Sequence, residues 1–240
     1  MKLSILMPVF NEEARLEEAL KQALNVQYPC DFELVVVDDG SSDRTAEILR
    51  RATDPRLQAV THPVNRGKGA AIRTAVEHTT GTHMVILDAD LEYDPEDIPR
   101  LLRPVLDGQI DVVYGNRTFG SHSSFSFWYV MGNKAVTTAA NILFNCYLSD
   151  LETCFKLMPV ELYRSLAVKS KGFGMEAEVT GKLLRRGIRP YEIPIAYRAR
   201  TREQGKKITW RDGVEALWIL TRERIRKPPK PVAATKPEQP

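Results

Sequence analysis

Long apolar runs and cysteines are scarce in this sequence. No stretch of about 18 apolar residues occurs, so we predict no membrane-spanning helix. The three cysteines, Cys30, Cys146 and Cys154, are not spaced like metal ligands, which disfavours a zinc site. A small, odd number of cysteines is typical of a reducing compartment. The apolar start, MKLSILMPVF, is too short for a signal peptide, and we expect a cytoplasmic protein.

A strong net charge is also absent. The net charge of +3 disfavours a dedicated nucleic-acid-binding protein. The positive charge is uneven, because residues 221–240 contain six Lys or Arg and two Glu. Residues 227–240 are rich in proline and lysine, and we predict a disordered basic tail there. Residues 1–226 have ordinary globular composition and suffice for one α/β domain.

Strand-like and helix-like segments alternate through the first half of the chain. Runs of Val, Ile and Leu typical of buried strands occupy residues 3–9, 33–39, 56–62, 83–90 and 110–116. The alternation predicts an α/β fold whose mostly parallel central sheet is flanked by helices. Later segments predict a short strand at 154–159, a helix at 175–187, a proline-containing edge strand at 189–200 and an amphipathic helix from residue 210.

Polar residues lie at the ends of four of these strand–helix units. They are the segments Asn11-Glu12, Asp38-Asp39, Asn65 to Gly69, and Asp88 to Asp90. Ligands of parallel sheets bind in the crevice at the carboxyl ends of the strands. One acidic loop is usually a helix cap, but four polar loops on one rim predict a binding site.

Asp88 and Asp90 are the candidate metal ligands. In an Asp-x-Asp sequence after a strand, both carboxylates can lie near one cation. Mg²⁺ and Mn²⁺ favour such oxygen ligands and leave room for water and substrate phosphates. The alternative is a polar loop that caps the next helix, a role that suits aspartate well.

Asp38 and Asp39 are candidates for binding a base edge or a ribose, as acidic residues do in nucleotide-binding βα units. The segment NRGKGAA lacks the Walker A and G-x-G-x-x-G spacings, which disfavours ATPases and dinucleotide-dependent dehydrogenases. Its glycines, Gly67 and Gly69, would still allow backbone to approach a ligand, and Lys68 could reach a phosphate. The alternative is a glycine-flanked helix start.

Four motifs taken in order identify a family. MPVFNEE, VVVDDGSSDRT, NRGKGAAIRTA and LDADLEYDPEDI resemble the nucleotide-sugar-dependent glycosyltransferases of family 2, which have the GT-A fold. The segments DLETCFK, FGMEAEV and YRARTREQGKKITWRDG resemble the polyprenyl-phosphate or dolichyl-phosphate hexose synthases of that family. The resemblance covers nearly all of the chain before the tail. It implies a nucleotide-sugar-binding half, 1–120, and an acceptor-binding half, 121–226.

The resemblance also implies roles for individual residues. Asp88 and Asp90 would hold Mg²⁺ or Mn²⁺ on the diphosphate, and Ala89 between them would line the nucleotide-sugar site. Arg117 would face the acceptor or the leaving phosphate. The nucleoside pocket would be formed by Pro8, Phe10, Glu12 and Asp39, with Lys68 beside it. The basic loop over the diphosphate would be formed by Arg200, Arg202, Lys206 and Lys207. A solvated charged turn is the alternative for the basic loop.

The acceptor decides whether a general base is needed. A phosphomonoester has a second pKa of about 6 and is already anionic at neutral pH, so it needs cations, for which Arg117, Arg200 and Arg202 are suited. A sugar hydroxyl needs a base, for which Asp150, Glu152 and Glu176 are candidates. Helix capping, or pairing with Lys156 or an arginine, is the alternative for these three carboxylates.

Three functions follow from these readings. The first is an inverting glycosyltransferase that moves a hexose from UDP-glucose or GDP-mannose to polyprenyl phosphate at the cytoplasmic face of a membrane. The second is a soluble enzyme of the same family with a hydroxyl acceptor, and the third is a silent nucleotide-sugar-binding module. The apolar, aromatic segment 125–148, with helical spacing beyond Gly132, is either core or a lipid-facing helix. Peripheral membrane contact, an integral-membrane partner and homo-oligomerisation are compatible with this reading.

Overall fold

A seven-stranded sheet forms the centre of the computed structural model of the protein, which describes residues 1–122, 126–199 and 209–226. The order of the strands across the sheet is β3-β2-β1-β4-β6-β5-β7. In chain order the strands are β1 Lys2–Val9, β2 Asp31–Asp38, β3 Leu57–Thr61, β4 His83–Ile86, β5 Val113–Asn116, β6 Lys156–Pro159 and β7 Tyr191–Pro194. The mostly parallel sheet and the edge position of β7 are as the sequence predicts.

Strand β6 is the exception to the parallel arrangement. It lies antiparallel to both of its neighbours, β4 and β5, whereas β1, β2, β3 and β4 pair in parallel, as do β5 and β7. Strand β4 is shorter than the predicted run 83–90. After the Leu87 amide donates to Leu6, the chain leaves the sheet, and Leu91 has a positive φ of 62°. Asp88 and Asp90 therefore lie in a loop rather than in a strand.

Helices cover the sheet. They are α1 Leu16–Asn25, α2 Thr45–Arg51, α3 Lys68–His78, α4 Ile98–Leu106, α5 Phe127–Phe144, α6 Val160–Leu166, α7 Met175–Arg185 and α8 Trp210–Ile225. Helix α5 continues through Gly132, where the sequence predicts a break. A Cβ added at Gly132 would meet no neighbouring element within 4 Å, and α5 is held instead by the packing of Val136 and Ala140. None of the helices in these described ranges has both the length and the apolar character needed to cross a bilayer.

The core is formed by the Val, Ile and Leu side chains that define the strand pattern. Residues 34–37 of β2 are all fully buried, because helices cover both faces of the strand. A second, smaller cluster lies between α5, α7 and α8 and contains Val136, Ala140, Ala177, Ile219 and Leu220. This cluster attaches α5 and α8 to the rest of the domain.

Candidate active site

A cleft of about 340 Å³ opens at the carboxyl ends of the strands. It is lined by the end of β1, by residues that follow β1, β2, β3 and β4, and by the segments around residues 117, 152–154, 172–176 and 197. The cleft is lined by many of the residues predicted to act in binding or catalysis, namely Pro8, Phe10, Glu12, Asp39, Lys68, Asp88, Ala89, Asp90, Arg117, Glu152 and Glu176. The predicted basic-loop residues Arg200, Arg202, Lys206 and Lys207 lie outside the described residues, as does the tail.

Asp39 lines the cleft and holds the loop before α3 through three hydrogen-bonding contacts. Its Oδ1 accepts hydrogen bonds from Arg66 N at 3.0 Å and pairs with His62 Nδ1 at 2.6 Å, and its Oδ2 accepts from Gly67 N at 2.7 Å. The other ring nitrogen of His62 lies 2.9 Å from Thr74 Oγ1. Asp39 therefore fixes the loop before α3 as well as lining the cleft. Sequence reasoning missed His62, since nothing in its local sequence points to Asp39.

Asp38, predicted to bind nucleotide together with Asp39, does not line the cleft. It is fully buried, and its Oδ1 accepts from Ser41 N at 3.0 Å. Successive residues of an extended strand point to opposite sides, so only one of two consecutive aspartates at the end of β2 can face a given ligand. Asp38 instead holds the turn that leads towards α2.

The two glycines of the segment 65–69 have a packing role that the sequence did not reveal. A Cβ on Gly67 would lie 2.5 Å from Lys171 O, and a Cβ on Gly69 would lie 2.3 Å from Ser170 O. Gly67 also has a φ of 92°, a conformation that residues with side chains rarely adopt. Close packing therefore accounts for glycine at both positions without the predicted approach of a ligand to the backbone. They allow the 170–171 backbone to approach α3.

Lys68 joins two carboxylates in the cleft. Its Nζ lies 2.8 Å from Asp88 Oδ2 and 2.8 Å from Glu176 Oε1. Burial by itself lowers the pKa of this ammonium group, but the two neighbouring carboxylates outweigh burial and hold the pKa well above its usual value. Lys68 thus stays protonated and offsets the negative charge beside the predicted diphosphate site.

Asp88 and Asp90 fit a divalent cation that also binds a substrate. Asp90 Oδ1 accepts from Glu92 N at 3.0 Å, which fixes the turn that carries both carboxylates. Within the described chain, no group of three or more His, Cys, Asp or Glu side chains is arranged to hold a metal ion. Two carboxylates with substrate phosphates and waters are nevertheless a common Mg²⁺ site, and the carboxylate oxygens are the donor type that Mg²⁺ and Mn²⁺ prefer.

Asp150, a predicted candidate base, does not line the cleft. It is fully buried and accepts from Arg117 Nε and Nη2, each at 2.7 Å, and from Asn133 Nδ2 at 3.0 Å. Burial by itself would raise the pKa of Asp150, but Arg117 overcomes it, and the pKa is lowered. A carboxylate with a lowered pKa is a weaker base. The alternative reading, structural pairing with an arginine, describes Asp150.

Glu152 is a carboxyl group in the cleft whose pKa is raised. Burial, and then repulsion from Glu176, raise its pKa to about 7. Its Oε1 is buried without a hydrogen-bond partner in the structure. Lys156 is fully buried nearby, where its Nζ donates to Leu151 O at 2.7 Å and lies 4.0 Å from the centre of the Tyr114 ring. Burial lowers the pKa of Lys156.

Two tyrosines and a glutamate form a part of the wall that sequence reasoning did not single out. Tyr93 accepts a hydrogen bond from Cys154 N at 2.9 Å, and Tyr197 donates to Glu92. The rings of Tyr93 and Tyr197 meet edge to face, and the Arg117 guanidinium lies 5.1 Å from the centre of the Tyr197 ring. Glu92 and Tyr93 lie two and three residues after Asp90, and this closeness is a usable sequence signal. Tyr197 comes from a distant segment and has none.

The parallel sheet, the cleft at its carboxyl edge and the Asp-x-Asp loop define the class of protein, a glycosyltransferase of the GT-A fold. The model of glycosyl transferase family 2 matches residues 4–166, and the chain belongs to that family.

Part of the chain is similar in sequence to bacterial lipid-phosphate sugar transferases. It is similar to undecaprenyl-phosphate 4-deoxy-4-formamido-L-arabinose transferase of Pseudomonas aeruginosa strain LESB58, with 40% identity over 131 residues, 52% of this chain and 38% of that protein. The transferase of that name from Edwardsiella ictaluri strain 93-146 is 43% identical over 119 residues, 46% of this chain and 35% of the relative. The match therefore spans less than half the length of these relatives.

A solved structure shares the fold. Glucosyl-3-phosphoglycerate synthase from Mycobacterium tuberculosis, in complex with Mn²⁺, uridine diphosphate and glucosyl-3-phosphoglycerate, superposes with a TM-score of 0.70 at 20% sequence identity. The superposition covers 92% of this chain and 79% of the synthase. At that identity the likeness establishes the fold alone. It confirms the GT-A fold that the sequence motifs imply.

Proposed function

We propose that this protein is an inverting glycosyltransferase that moves a sugar from a nucleotide sugar to polyprenyl phosphate. The observation that carries the proposal is that one cleft is lined both by Asp88 and Asp90 and by Arg117. The carboxylates suit the metal-bound diphosphate of a donor, and the guanidinium suits a second phosphate. The relatives with the printed name undecaprenyl-phosphate transferase support the lipid phosphate as acceptor.

On the donor side, Pro8, Phe10 and Glu12 would line the nucleoside pocket and Asp39 would fix its loop. Asp88 and Asp90 would hold Mg²⁺ or Mn²⁺. The ion, when bound, would stabilise the negative charge that develops on the leaving diphosphate. Lys68 would add a fixed positive charge there, because its pairing with Asp88 and Glu176 keeps it protonated. Mn²⁺ in the related fold supports the metal dependence.

On the acceptor side, Arg117 would position an attacking phosphate oxygen. Its Nε and Nη2 are held by Asp150, so the orientation of the guanidinium is fixed before the acceptor arrives. The Nη1 donors take no part in this pair and would be left to bind the acceptor. A phosphomonoester is anionic at neutral pH and needs no general base, and attack in line with the leaving group would invert the anomeric carbon.

A hydroxyl acceptor is the second candidate, and Glu152 favours it. The raised pKa of Glu152, about 7, is that of an effective general base near neutral pH, and the residue lines the cleft. Asp150 and Glu176 suit this role less well, because they are paired with Arg117 and Lys68 respectively. Under this alternative the enzyme would act on a small molecule, a glycan or a protein.

We infer that the protein works at the cytoplasmic face of a membrane, since a polyprenyl phosphate is held there by its hydrocarbon chain. The proposal includes an integral-membrane partner and self-association. The donor sugar is also to be found by experiment. UDP-glucose and GDP-mannose are the expected donors, and the name of the relatives adds 4-deoxy-4-formamido-L-arabinose as a candidate sugar.

The test is product formation by thin-layer chromatography. Purified protein is incubated with polyprenyl phosphate, Mg²⁺ or Mn²⁺, and each candidate donor in turn. We expect a new lipid-linked sugar with one donor, its loss with chelator and in Asp90→Ala, and its retention in Asp107→Ala, an aspartate outside the cleft. Sugar transfer to hydroxyl compounds that Glu152→Gln abolishes, without any lipid product, would replace this function by the second candidate.

A further inference from the structure

The exposed apolar side chains of this protein are concentrated on two helices. Nine of the fifteen large apolar residues that are exposed in the described chain lie on α5 and α8. All three tryptophans of the chain, Trp128, Trp210 and Trp218, are among these nine. Scattered exposed apolar residues need no explanation, but a contiguous group of this kind marks an interaction surface.

On α8 the exposed apolar residues form a stripe. Trp210, Val214, Trp218 and Ile225 are 75%, 55%, 60% and 78% exposed, and their spacing places them on one side of the helix. The opposite side, with Ala216, Ile219 and Leu220, is buried against the domain. The helix is therefore apolar on both its inner and its outer side.

Helix α5 carries a matching stripe. Trp128, Met131 and Ile142 are exposed on it, at the spacing of one helical face. The charged residue of this helix is Lys134, which is also exposed, and its sequence contains no acidic residue. An outward face without acidic groups is compatible with a negatively charged surface.

The two stripes belong to one surface. Val136 and Ala140 of α5 share a buried cluster with Ala216 and Ile219 of α8, so the helices pack side by side with their apolar stripes outward. Arg224 Nε, in the last turn of α8, donates to Leu143 O, in the last turn of α5, at 2.7 Å. We call the outward side of α5 and α8 the aromatic face.

The aromatic face borders the cleft. Asn133 of α5 donates to Asp150, the partner of Arg117, and Thr137 Oγ1 accepts from Leu151 N. On the other helix, a Cβ on Gly174 would lie 2.5 Å from Ile219 Cδ1, so the loop that carries Phe173 into the cleft packs directly on α8. An acceptor leaving this surface would therefore have a short path to the cleft.

We propose that the aromatic face docks the protein on the surface of an anionic lipid bilayer. Tryptophan is enriched where a protein meets the membrane–water interface, because its ring is apolar and its N–H is polar. Arginines accompany two of the tryptophans, with Arg222 4.8 Å from the Trp218 ring and Arg211 5.7 Å from the Trp210 ring. The surplus of four positive charges in residues 221–240 adds attraction to anionic lipid.

This inference deepens the proposed function and rests on it for the identity of the lipid acceptor, but docking itself can be measured separately. Full-length protein is sedimented with vesicles of neutral phosphatidylcholine, with or without anionic phosphatidylglycerol, while tryptophan emission is recorded. We expect binding to anionic vesicles with a blue shift, since all three tryptophans lie on the aromatic face. Added salt should weaken the binding.

The variant that tests the surface is Trp128→Gln/Trp218→Gln/Ile225→Gln. These side chains are exposed, so the fold should survive, and we expect vesicle partitioning to fall at least tenfold. The matched control, Val64→Gln/Leu106→Gln, changes exposed apolar residues elsewhere and should partition like the parent protein. Unchanged partitioning of the triple variant would overturn the inference.

The acceptor assay separates docking from catalysis. With a short-chain, water-soluble polyprenyl phosphate the triple variant should keep parental activity, and with long-chain acceptor in vesicles it should lose most of it. Lipid product without vesicle binding by the parent protein would refute docking and leave the function intact. Vesicle binding without product from any donor would refute the function and leave docking intact. A dimer that the triple variant abolishes, without vesicle binding, would make the face a self-association surface instead.

Discussion

The ion pair between Asp150 and Arg117 is a buried, doubly hydrogen-bonded contact beside the cleft. Asp150 is fully buried and accepts two hydrogen bonds from the Arg117 side chain, one from the Arg117 amide and one from Asn133. Replacement of Asp150 by asparagine removes the negative charge and leaves the guanidinium uncompensated. Breaking a buried pair from one side costs about 3–5 kcal/mol.

The expected loss converts to a measurable melting shift. In a domain of this size each kcal/mol corresponds to roughly 2–4 °C, so Asp150→Asn should melt about 6–20 °C below the parent protein. Urea unfolding at pH 7, with the same slope for both proteins, gives the free-energy difference directly. The control is Asp54→Asn, which breaks the solvent-accessible pair with Arg56 and should change stability by only about 0–1 kcal/mol.

A double variant distinguishes the ion pair from simple packing. In Arg117→Met/Asp150→Leu no unpaired charge remains, so much of the stability should return, although activity should not. Parental stability in Asp150→Asn, together with specific loss of activity, would refute the structural reading and restore Asp150 as a candidate base.

The ion pair also predicts that the protein loses stability in acid. Because the folded pKa of Asp150 is lowered, its stabilisation is present above the unfolded pKa of about 3.9 and is lost as the pH falls through the folded value.

Two further predictions concern Glu152 and His62. Burial and the adjacent Glu176 raise the folded pKa of Glu152 to about 7, so its favourable contribution is complete below the unfolded pKa of about 4.3 and is lost as the pH rises to 7. Glu152→Gln should therefore gain stability relative to the parent between pH 4.5 and pH 8 in thermal melts, and a constant difference would contradict the raised pKa. His62→Phe removes a partner of the buried Asp39 carboxylate, worth about 1.5 kcal/mol or more, so nucleotide-sugar affinity measured by calorimetry should fall about tenfold. His62→Gln, which can still donate to Asp39, should recover most of that affinity, and equal loss in both variants would argue against a positioning role for His62.

Much of the fold follows from local patterns in the sequence. Runs of Val, Ile and Leu separated by helical periods specify buried parallel strands, and the structure contains strands at all five predicted places in the first half. The turn after β2 is a smaller failure of local reasoning. By residue type alone, Ser41 and Ser42 would suit a helix cap, but α2 begins at Thr45, whose amide donates to Asp43 Oδ1. The positions of the strands and of the helix cap are both predicted from neighbouring residues. The cap is harder to predict, because it depends on the exact path of the backbone in the turn.

The position of the site was also predictable, whereas its pairings were not. The carboxyl ends of parallel strands share one edge, so Glu12, Asp39, Lys68 and Asp88 were expected together and all line the cleft. The partner of each charge lies far away in sequence. Asp150 and Arg117 are separated by 33 residues, and Lys68 and Glu176 come from different halves of the chain.

The sequence by itself determined the strand–helix order, the family motifs and the rim on which the site forms, because hydrophobic period and chain order are local properties. Tertiary structure decided that β6 runs antiparallel, that Asp38 turns away while Asp39 faces the cleft, and that Asp150 is committed to Arg117. It also decided that α5 and α8 expose their aromatic side chains together rather than burying them. These outcomes depend on contacts between segments that are far apart in the sequence. Whether a charge is buried or a tryptophan is exposed is decided only when those segments pack together.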